Sequence, residues 1–259
     1  MKPVIILFVF AALCMASCQH SQNETLKVAA TSVPHAEILE QIKPDLQKEG
    51  INLQVVVVED YNTPNRALAD KEIDANFFQH EPFLEAQKKE FDYKLISLAK
   101  VHLEPMALYS KRITSLKDLQ DKAKIAVPSD PTNQARALLL LEKAGLLTLN
   151  KHDTTASVLN IRLNPKNLEV LEIDSPLLSR SLDDVDVAAI TTNFALQAGL
   201  HPKESLAIES TDSAFFNVLV IREGDQNRTD LQKLKDALNS EKVRKFIEDK
   251  YHGAVIPAF

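Results

Sequence analysis

The chain has 259 residues, a formal net charge of −6 at neutral pH and no tryptophan. Its charges are spread along the length without a Lys/Arg-rich block, which excludes the basic footprint of a nucleic-acid-binding protein. With only five glycines, it has little material for a Gly-rich phosphate loop or a Gly-x-Ser-x-Gly turn, and neither pattern occurs.

The first residues read as a secretory signal. Met1 and Lys2 are followed by an apolar run, Pro3 to Leu13, too short to span a bilayer, and then by Met15-Ala16-Ser17-Cys18. A small residue directly before Cys18 matches a bacterial lipobox. Residues 1–17 are therefore expected to be removed and Cys18 to be acylated, tethering the protein to a membrane without a spanning helix. Cys14 fits less well because bulky Leu13 precedes it. No cysteine follows Cys18, so the exported protein relies on its core rather than on disulfides. The rest of the segment 18–25 is a short polar tether.

Strand-like and helix-like segments then alternate. Leu26–Thr31 predicts a strand. Pro34–Glu49 predicts a helix with Ala36, Leu39 and Ile42 on one face and Gly50 at its end. The β-branched run Ile51–Val58 predicts a buried strand, and Asn62–Asp70 a short helix. Ile73–Asn76 reads as a clipped strand, after which Phe77, Phe78, His80 and Phe83 open a helix to about Phe91. Aromatics at such a junction suit either a ligand-pocket wall or ordinary core. Lys94–Val101 and Met106–Ser110 are strands. Ser115 caps the short helix Leu116–Leu119, Lys124–Val127 is a strand, and Thr132 caps a helix over Asn133–Ala144 that stops at Gly145. Leu168–Ile173 and Val185–Ile190 are strands separated by a helix at Pro176–Leu182. Asn193–Ala198 is helical, Asn217–Arg222 is a strand, and Thr229–Tyr251 is two helices broken at Asn239-Ser240.

This alternation predicts an α/β fold with mostly parallel sheets covered on both faces. There are more units than one sheet comfortably holds, so two lobes are expected: residues 26–109 plus 223–259, and residues 110–222. Ligands of open α/β sheets bind beyond the carboxyl ends of the strands, which here face a shared cleft.

Several residues are placed to serve that cleft. Arg136, in the first turn of its helix, can grip a carboxylate through two parallel hydrogen bonds; a solvated surface Arg is the plainer alternative. Asn217, at a strand start, can accept from an ammonium or donate to a carboxylate, or it is a turn residue. Thr191, Thr192 and Asn193 follow an apolar strand, where one of them suffices as a helix cap. Tyr61, Phe78, His80 and Phe83 could form an apolar box for a thioether or aliphatic side chain. No catalytic constellation is evident, so an enzyme is not expected. His80-Glu81 has no second His at zinc-protease spacing, and His35-x-Glu37 has no downstream cysteine pair. No two of His35, His80 and His102 share a helix turn, so neither a metal nor a cofactor is expected.

Taken together, Glu59-Asp60-Tyr61-x-x-Pro64-Asn65, Asp74-Ala75-Asn76-x-Phe78-Gln79-His80-x-Pro82 and Val127-Pro128-x-Asp130-Pro131-Thr132-Asn133-x-x-Arg136 resemble the methionine-binding lipoprotein (MetQ, NlpA) family. So do Asn164-Pro165-Lys166-Asn167-Leu168 and Ser179-Arg180-Ser181-Leu182-Asp183-Asp184. The resemblance runs in order along the whole mature chain. It implies a two-lobed periplasmic binding protein fold (type II-like) with the ligand cleft between lobes. The implied protein is a monomer, lipid-anchored at the bacterial cell membrane and facing the periplasm or exterior, that delivers methionine (the L- or D-form) or a closely related amino acid to an ABC importer's permease and ATPase. It further implies Arg136 on the carboxylate, Asn217 on the amino group, and Tyr61, Phe78, His80 and Phe83 around the side chain. The chain departs from the family's Ile-Asn-Thr-x-Tyr-Ala pattern, which here reads Ile190-Thr191-Thr192-Asn193-Phe194-Ala195, so Thr191 lacks the usual amide. Phe83 stands where Tyr is common. The competing class is a surface lipoprotein that binds a macromolecule and keeps only a vestigial cleft.

Overall fold

A computed structural model describes residues 25–211 and 214–259. The signal segment, Cys18 and most of the tether lie outside the described residues. The first lobe opens with β1 (Thr25–Thr31), α1 (Glu37–Lys48), β2 (Asn52–Val58), α2 (Thr63–Ala69), β3 (Ala75–His80), α3 (Glu81–Phe91) and β4 (Leu95–Leu103). The chain crosses once to β5 (Ala107–Tyr109), β6 (Lys124–Pro128), α4 (Pro131–Lys143), the small pair β7 (Thr148–Leu149) and β8 (Ile161–Leu163), β9 (Glu169–Ile173), α5 (Leu178–Ser181), β10 (Val187–Ile190), α6 (Thr192–Gln197) and β11 (Ala207–Ile208). It returns through β12 (Phe216–Arg222), α7 (Thr229–Leu238), α8 (Glu241–Tyr251) and β13 (Ile256–Pro257).

The two sheets have the orders β13-β4-β12-β3-β1-β2 and β11-β5-β10-β6-β9. Strands β1, β2 and β3 run parallel, as do β6, β9 and β10, whereas β12 is antiparallel to both β3 and β4. The central strands of each sheet are buried on both faces, and the period-two alternation of strands assigns the side chains. Leu26 and Val28 of β1 face the layer of α1, α7 and α8, while Ala29 faces the opposite core with Leu68 of α2. In the second sheet Val187 and Ala189 pack with α4, and Ala188 and Ile190 with α5 and α6.

The lobe boundaries differ from the expectation of residues 26–109 plus 223–259 against 110–222. Strand β5 pairs with β10 in the second sheet, and β12 lies between β3 and β4 in the first. The crossings are thus the segment 104–106 and the connection between β11 and β12. The apolar run of β12 marks a strand, but its sheet is decided by pairing with residues more than a hundred positions away. The helix expected from Pro34 becomes regular only at Glu37. Val33, the residue before a proline, keeps extended backbone with φ −128° and ψ 133°. The N-cap of α4 is Asp130, not Thr132: its carboxylate accepts from the Asn133 N–H at 3.0 Å.

The aromatic cluster is placed differently too. Phe77 and Phe78 belong to strand β3, which runs on to His80, and α3 starts at Glu81. Strand β12 pairs Val218 with Gln79 and Leu219 with Phe77, so Phe78 is an extra, bulged residue. A bulge breaks the alternation of side chains and re-aims a strand end. Phe77 stays in the main core, whereas Phe78, Gln79 and His80 all border the cleft.

Truncating Phe77, which is fully buried, to Ala should lower the unfolding free energy by about 3–5 kcal/mol. Leu159→Ala, at a side chain 89% exposed, should change it by less than about 0.5 kcal/mol. Urea denaturation of the two variants compares them directly; equal losses would contradict this packing.

Candidate functional site

A narrow cleft opens between the lobes. The first lobe contributes Tyr61, Phe78, Gln79, His80, Phe83 and Asn217; the second contributes Asn133, Arg136, Thr191 and Asn193; and Glu104 comes from the crossing segment. The residues singled out as ligand candidates in the sequence therefore meet at one cavity, except Thr192, whose hydroxyl donates to the Pro105 carbonyl at 2.6 Å. Glu104, Gln79 and Asn133 line it as well, although sequence reasoning did not single them out. Asn133 was findable, since it shares the first turn of α4 with Arg136. Glu104 carried no local signal beyond its place beside Pro105 at a predicted crossing.

One end of the cavity is apolar. The Tyr61 ring lies 5.9 Å from Phe78, 5.8 Å from Phe83 and 5.1 Å from Phe194, and Phe78 meets Phe83 edge-on at 6.1 Å. Such tilted and T-shaped contacts are the preferred aromatic geometries. The hydroxyl of Tyr61 reaches across to the second lobe, donating to Asn193 Oδ1 at 2.6 Å and lying 3.1 Å from Thr191 Oγ1. Burial pushes that phenol well above its ordinary range, so it stays a neutral donor. With its oxygen thus engaged, Asn193 has a buried Nδ2 without a partner. The amide missing at Thr191 is supplied two residues later, and Thr191 instead positions the tyrosine that orients it.

His80 forms the second bridge between the lobes. Its Nδ1 accepts from the Phe83 N–H at 3.1 Å as the N-cap of α3, so the proton resides on Nε2, which donates to Asn133 Oδ1 at 3.0 Å. Burial, reinforced by the nearby Arg136 charge, holds its pKa down to about 3.

Arg136 sits at the polar end, only 3% exposed. It is not the free fork that its sequence position suggests. Nε donates to Glu209 Oε1 at 3.1 Å and Nη2 to Glu209 Oε2 at 2.6 Å, a bidentate pair. Nη2 also donates to the Glu104 carbonyl at 2.9 Å, and Nη1 to Asn133 Oδ1 at 3.1 Å. Four of the five guanidinium N–H groups are thus engaged, leaving one on Nη1. Phe215 covers the guanidinium face at 4.5 Å. Glu209 gave no sequence signal, because a lone acid in an irregular segment acquires meaning only from the distant Arg it meets.

Behind the cavity, His102 Nε2 lies 2.6 Å from Glu104 Oε1, and His35 Nε2 lies 3.3 Å from the same oxygen and 3.2 Å from Asn217 Oδ1. Donor atoms of His35, His102 and Glu104 fall within 4.8 Å of one another, a grouping that sequence spacing did not reveal. Ligands on one tetrahedral ion at about 2.0–2.1 Å stand roughly 3.3 Å apart. The 2.6 Å contact is therefore a hydrogen bond, and it links the trio into one buried network. His35 Nε2 faces two acceptors, Glu104 Oε1 and Asn217 Oδ1, so the proton resides there and the Thr31 hydroxyl, 2.7 Å from Nδ1, donates to that nitrogen. Burial lowers the pKa of His35 to about 4 and that of His102 to about 3, so both are neutral. Among the described residues no helix is long and apolar enough to cross a membrane.

A model of the NlpA lipoprotein family matches residues 26–259. The methionine-binding lipoprotein MetQ of Bacillus subtilis (strain 168) is 42% identical over 264 residues, spanning 97% of this chain and 96% of that protein. A periplasmic substrate-binding protein of an ABC transporter from Coxiella burnetii superposes with a TM-score of 0.86 at 45% identity, covering 90% of this chain and 100% of the other. A nutrient-binding protein from Burkholderia cenocepacia, solved bound to methionine, gives a TM-score of 0.88 at 39% identity over 91% and 100% of the two chains.

The depressed pKa of His80 makes a signed prediction. The unfolded chain takes up this proton below about pH 6.5, while the folded protein resists it down to about 3. Stability is therefore full above pH 6.5 and is lost as pH falls below it, by about 2 kcal/mol between pH 7 and 5 from this residue alone. His80→Gln should lose correspondingly less over that interval in urea titrations at the two pH values; an unchanged difference would contradict the buried neutral imidazole.

Proposed function

This chain belongs to the NlpA lipoprotein family, and on that footing we propose that it is the lipid-anchored substrate-binding protein of an ABC importer, with methionine or a closely related amino acid as its ligand. It is a binding protein rather than an enzyme. Cys18 carries the anchor, and the permease and ATPase of the importer receive the ligand.

The observation that carries the reading is the polarity of the cleft. An aromatic box formed by Tyr61, Phe78, Phe83 and Phe194 stands opposite a buried guanidinium with one uncommitted N–H and the unpartnered Nδ2 of Asn193. An unpartnered buried donor is costly unless something supplies an acceptor. A ligand carboxylate supplies it, accepting from Arg136 Nη1 and Asn193 Nδ2 together. The box then receives an unbranched thioether, whose sulfur gains from aromatic contact. Thr191 and His80 act by positioning: the first holds Tyr61, and the second ties α3 to Asn133 across the cleft.

Calorimetric titration of the purified protein with L-methionine tests this. Arg136→Ala should weaken binding by about 30-fold or more, since it also leaves Glu209 without its partner. Asn193→Ala should cost about tenfold. Unchanged affinity in Arg136→Ala would sink the carboxylate assignment. Absence of binding to any amino acid by the unmodified protein would sink the importer reading and leave the surface-lipoprotein alternative.

A further inference from the structure

Three amides lie buried behind the aromatic wall, and ligand contacts alone give them no role. Asn65, Asn76 and Gln79 are all buried, and they form one closed network. Asn65 Nδ2 donates to Gln79 Oε1 at 2.9 Å, and Gln79 Nε2 donates back to Asn65 Oδ1 at 2.6 Å. Gln79 Nε2 also donates to Asn76 Oδ1 at 2.9 Å. Asn76 Nδ2 in turn donates to Asn65 Oδ1 at 3.0 Å and to the Pro64 carbonyl at 3.3 Å. Both amide hydrogens of Asn76 and of Gln79 are thus used inside the network. Gln79 therefore borders the cleft with no side-chain N–H left for a ligand. Buried amides are costly unless satisfied, and a satisfied network holds one arrangement of the chain.

The arrangement held here is the bulge in β3. Side chains three positions apart on a regular strand point to opposite faces. Ala75 and Phe77 enter the core under α1, α7 and α8, so Asn76 faces the other way, toward Asn65 of α2. In an unbulged strand Gln79 would lie on the side of Ala75 and Phe77. The extra residue at Phe78 reverses the alternation beyond it, and only then can Gln79 meet Asn76. The contact therefore exists in the bulged register alone. The same network grips Pro64 and Asn65 in the first turn of α2, the turn that follows Tyr61. It couples the two segments that carry facing walls of the aromatic box, Tyr61 and Phe78, whose rings stand 5.9 Å apart. We propose that Asn65, Asn76 and Gln79 are positioning residues that pin the bulged register of β3, set the width of the box, and so make the cleft select unbranched over branched ligand side chains. This rests on the amino-acid reading above. Arg136 and Asn193, which meet the carboxylate in that reading, make no bond to the network.

The test compares L-methionine with L-leucine, which has the same two charged ends but a branched side chain, by calorimetry on the purified protein and its Asn76→Leu variant. Asn76 does not line the cavity, so the substitution removes no contact with a ligand. The unmodified protein should prefer methionine by about tenfold or more, and the variant by about threefold or less, with methionine weakened more than leucine. Equal weakening of both would mean that the network only supports the structure, and it would overturn the inference. So would an unchanged preference. If the single variant does not fold, Asn65→Leu/Asn76→Leu takes its place, since it removes both partners of Gln79 together and leaves that amide to water at the cleft. Failure of both variants to fold would make the network a folding element and would also overturn the inference. In the unmodified protein, equal binding of the two amino acids overturns the inference and leaves the importer reading standing, whereas binding of neither overturns both.

Discussion

A guanidinium removed from water must be answered on nearly every N–H, and the architecture of this cleft follows from that requirement at Arg136. The second lobe alone cannot meet it. Helix α4 supplies Asn133 one turn away, β11 leads into Glu209, and the crossing segment lends the Glu104 carbonyl. Glu209 is itself tied down, accepting from the Met106 N–H at 2.8 Å as well. The result is a charge neutralised on one edge and directed on the other. A pair of this kind, buried and bidentate, contributes little net stability compared with an apolar replacement, but removing one partner is expensive. Its effect is specification: it leaves a single Nη1 N–H of the guanidinium uncommitted at the cleft.

The same logic of saturation explains the departure at Thr191. An amide at that position could both orient and bind. Here the two tasks are divided. Thr191 holds the Tyr61 hydroxyl, Tyr61 engages the oxygen of Asn193, and Asn193 is left with a donor toward the cavity. Because Tyr61 belongs to the first lobe and the other two residues to the second, the hydrogen bonds that aim the donor also join the lobes. His80 does likewise, receiving the Phe83 N–H on its own lobe and donating to Asn133 on the other.

Much of this was legible from the chain. The alternation of elements, the two C-terminal helices parted at Ser240, and the cleft membership of Arg136, Asn217 and the aromatic cluster all follow from local pattern or from family resemblance. What was not legible depends on pairing at a distance. The aromatic run looks like a helix start because Pro82 and Glu81 are good first-turn residues, yet hydrogen bonds from β12 extend the strand to His80 and bulge it at Phe78. Strand β12 itself has an obvious period but no mark of which sheet it joins. Glu104 and Glu209 are single acids whose partners lie in other elements, and no spacing rule links them to Arg136. Asp130 displaces Thr132 as the cap of α4, because the residue before Pro131 is held extended, with φ −71° and ψ 138°. Extended backbone is what an N-cap needs.

Few polar groups lining this small space remain after these internal pairings: an N–H of Arg136, the Asn193 amide and the Glu104 carboxylate, which is contacted from behind by His35 and His102. The lobes share this work unequally. The second supplies the donors, the first supplies His35 and most of the aromatic box, and Glu104 lies on the segment that connects them. The lobes are joined twice, by the segment carrying Glu104 and by the one between β11 and β12, where Phe215 covers Arg136, so both connections border the cleft and the residues that line it also hold the lobes together.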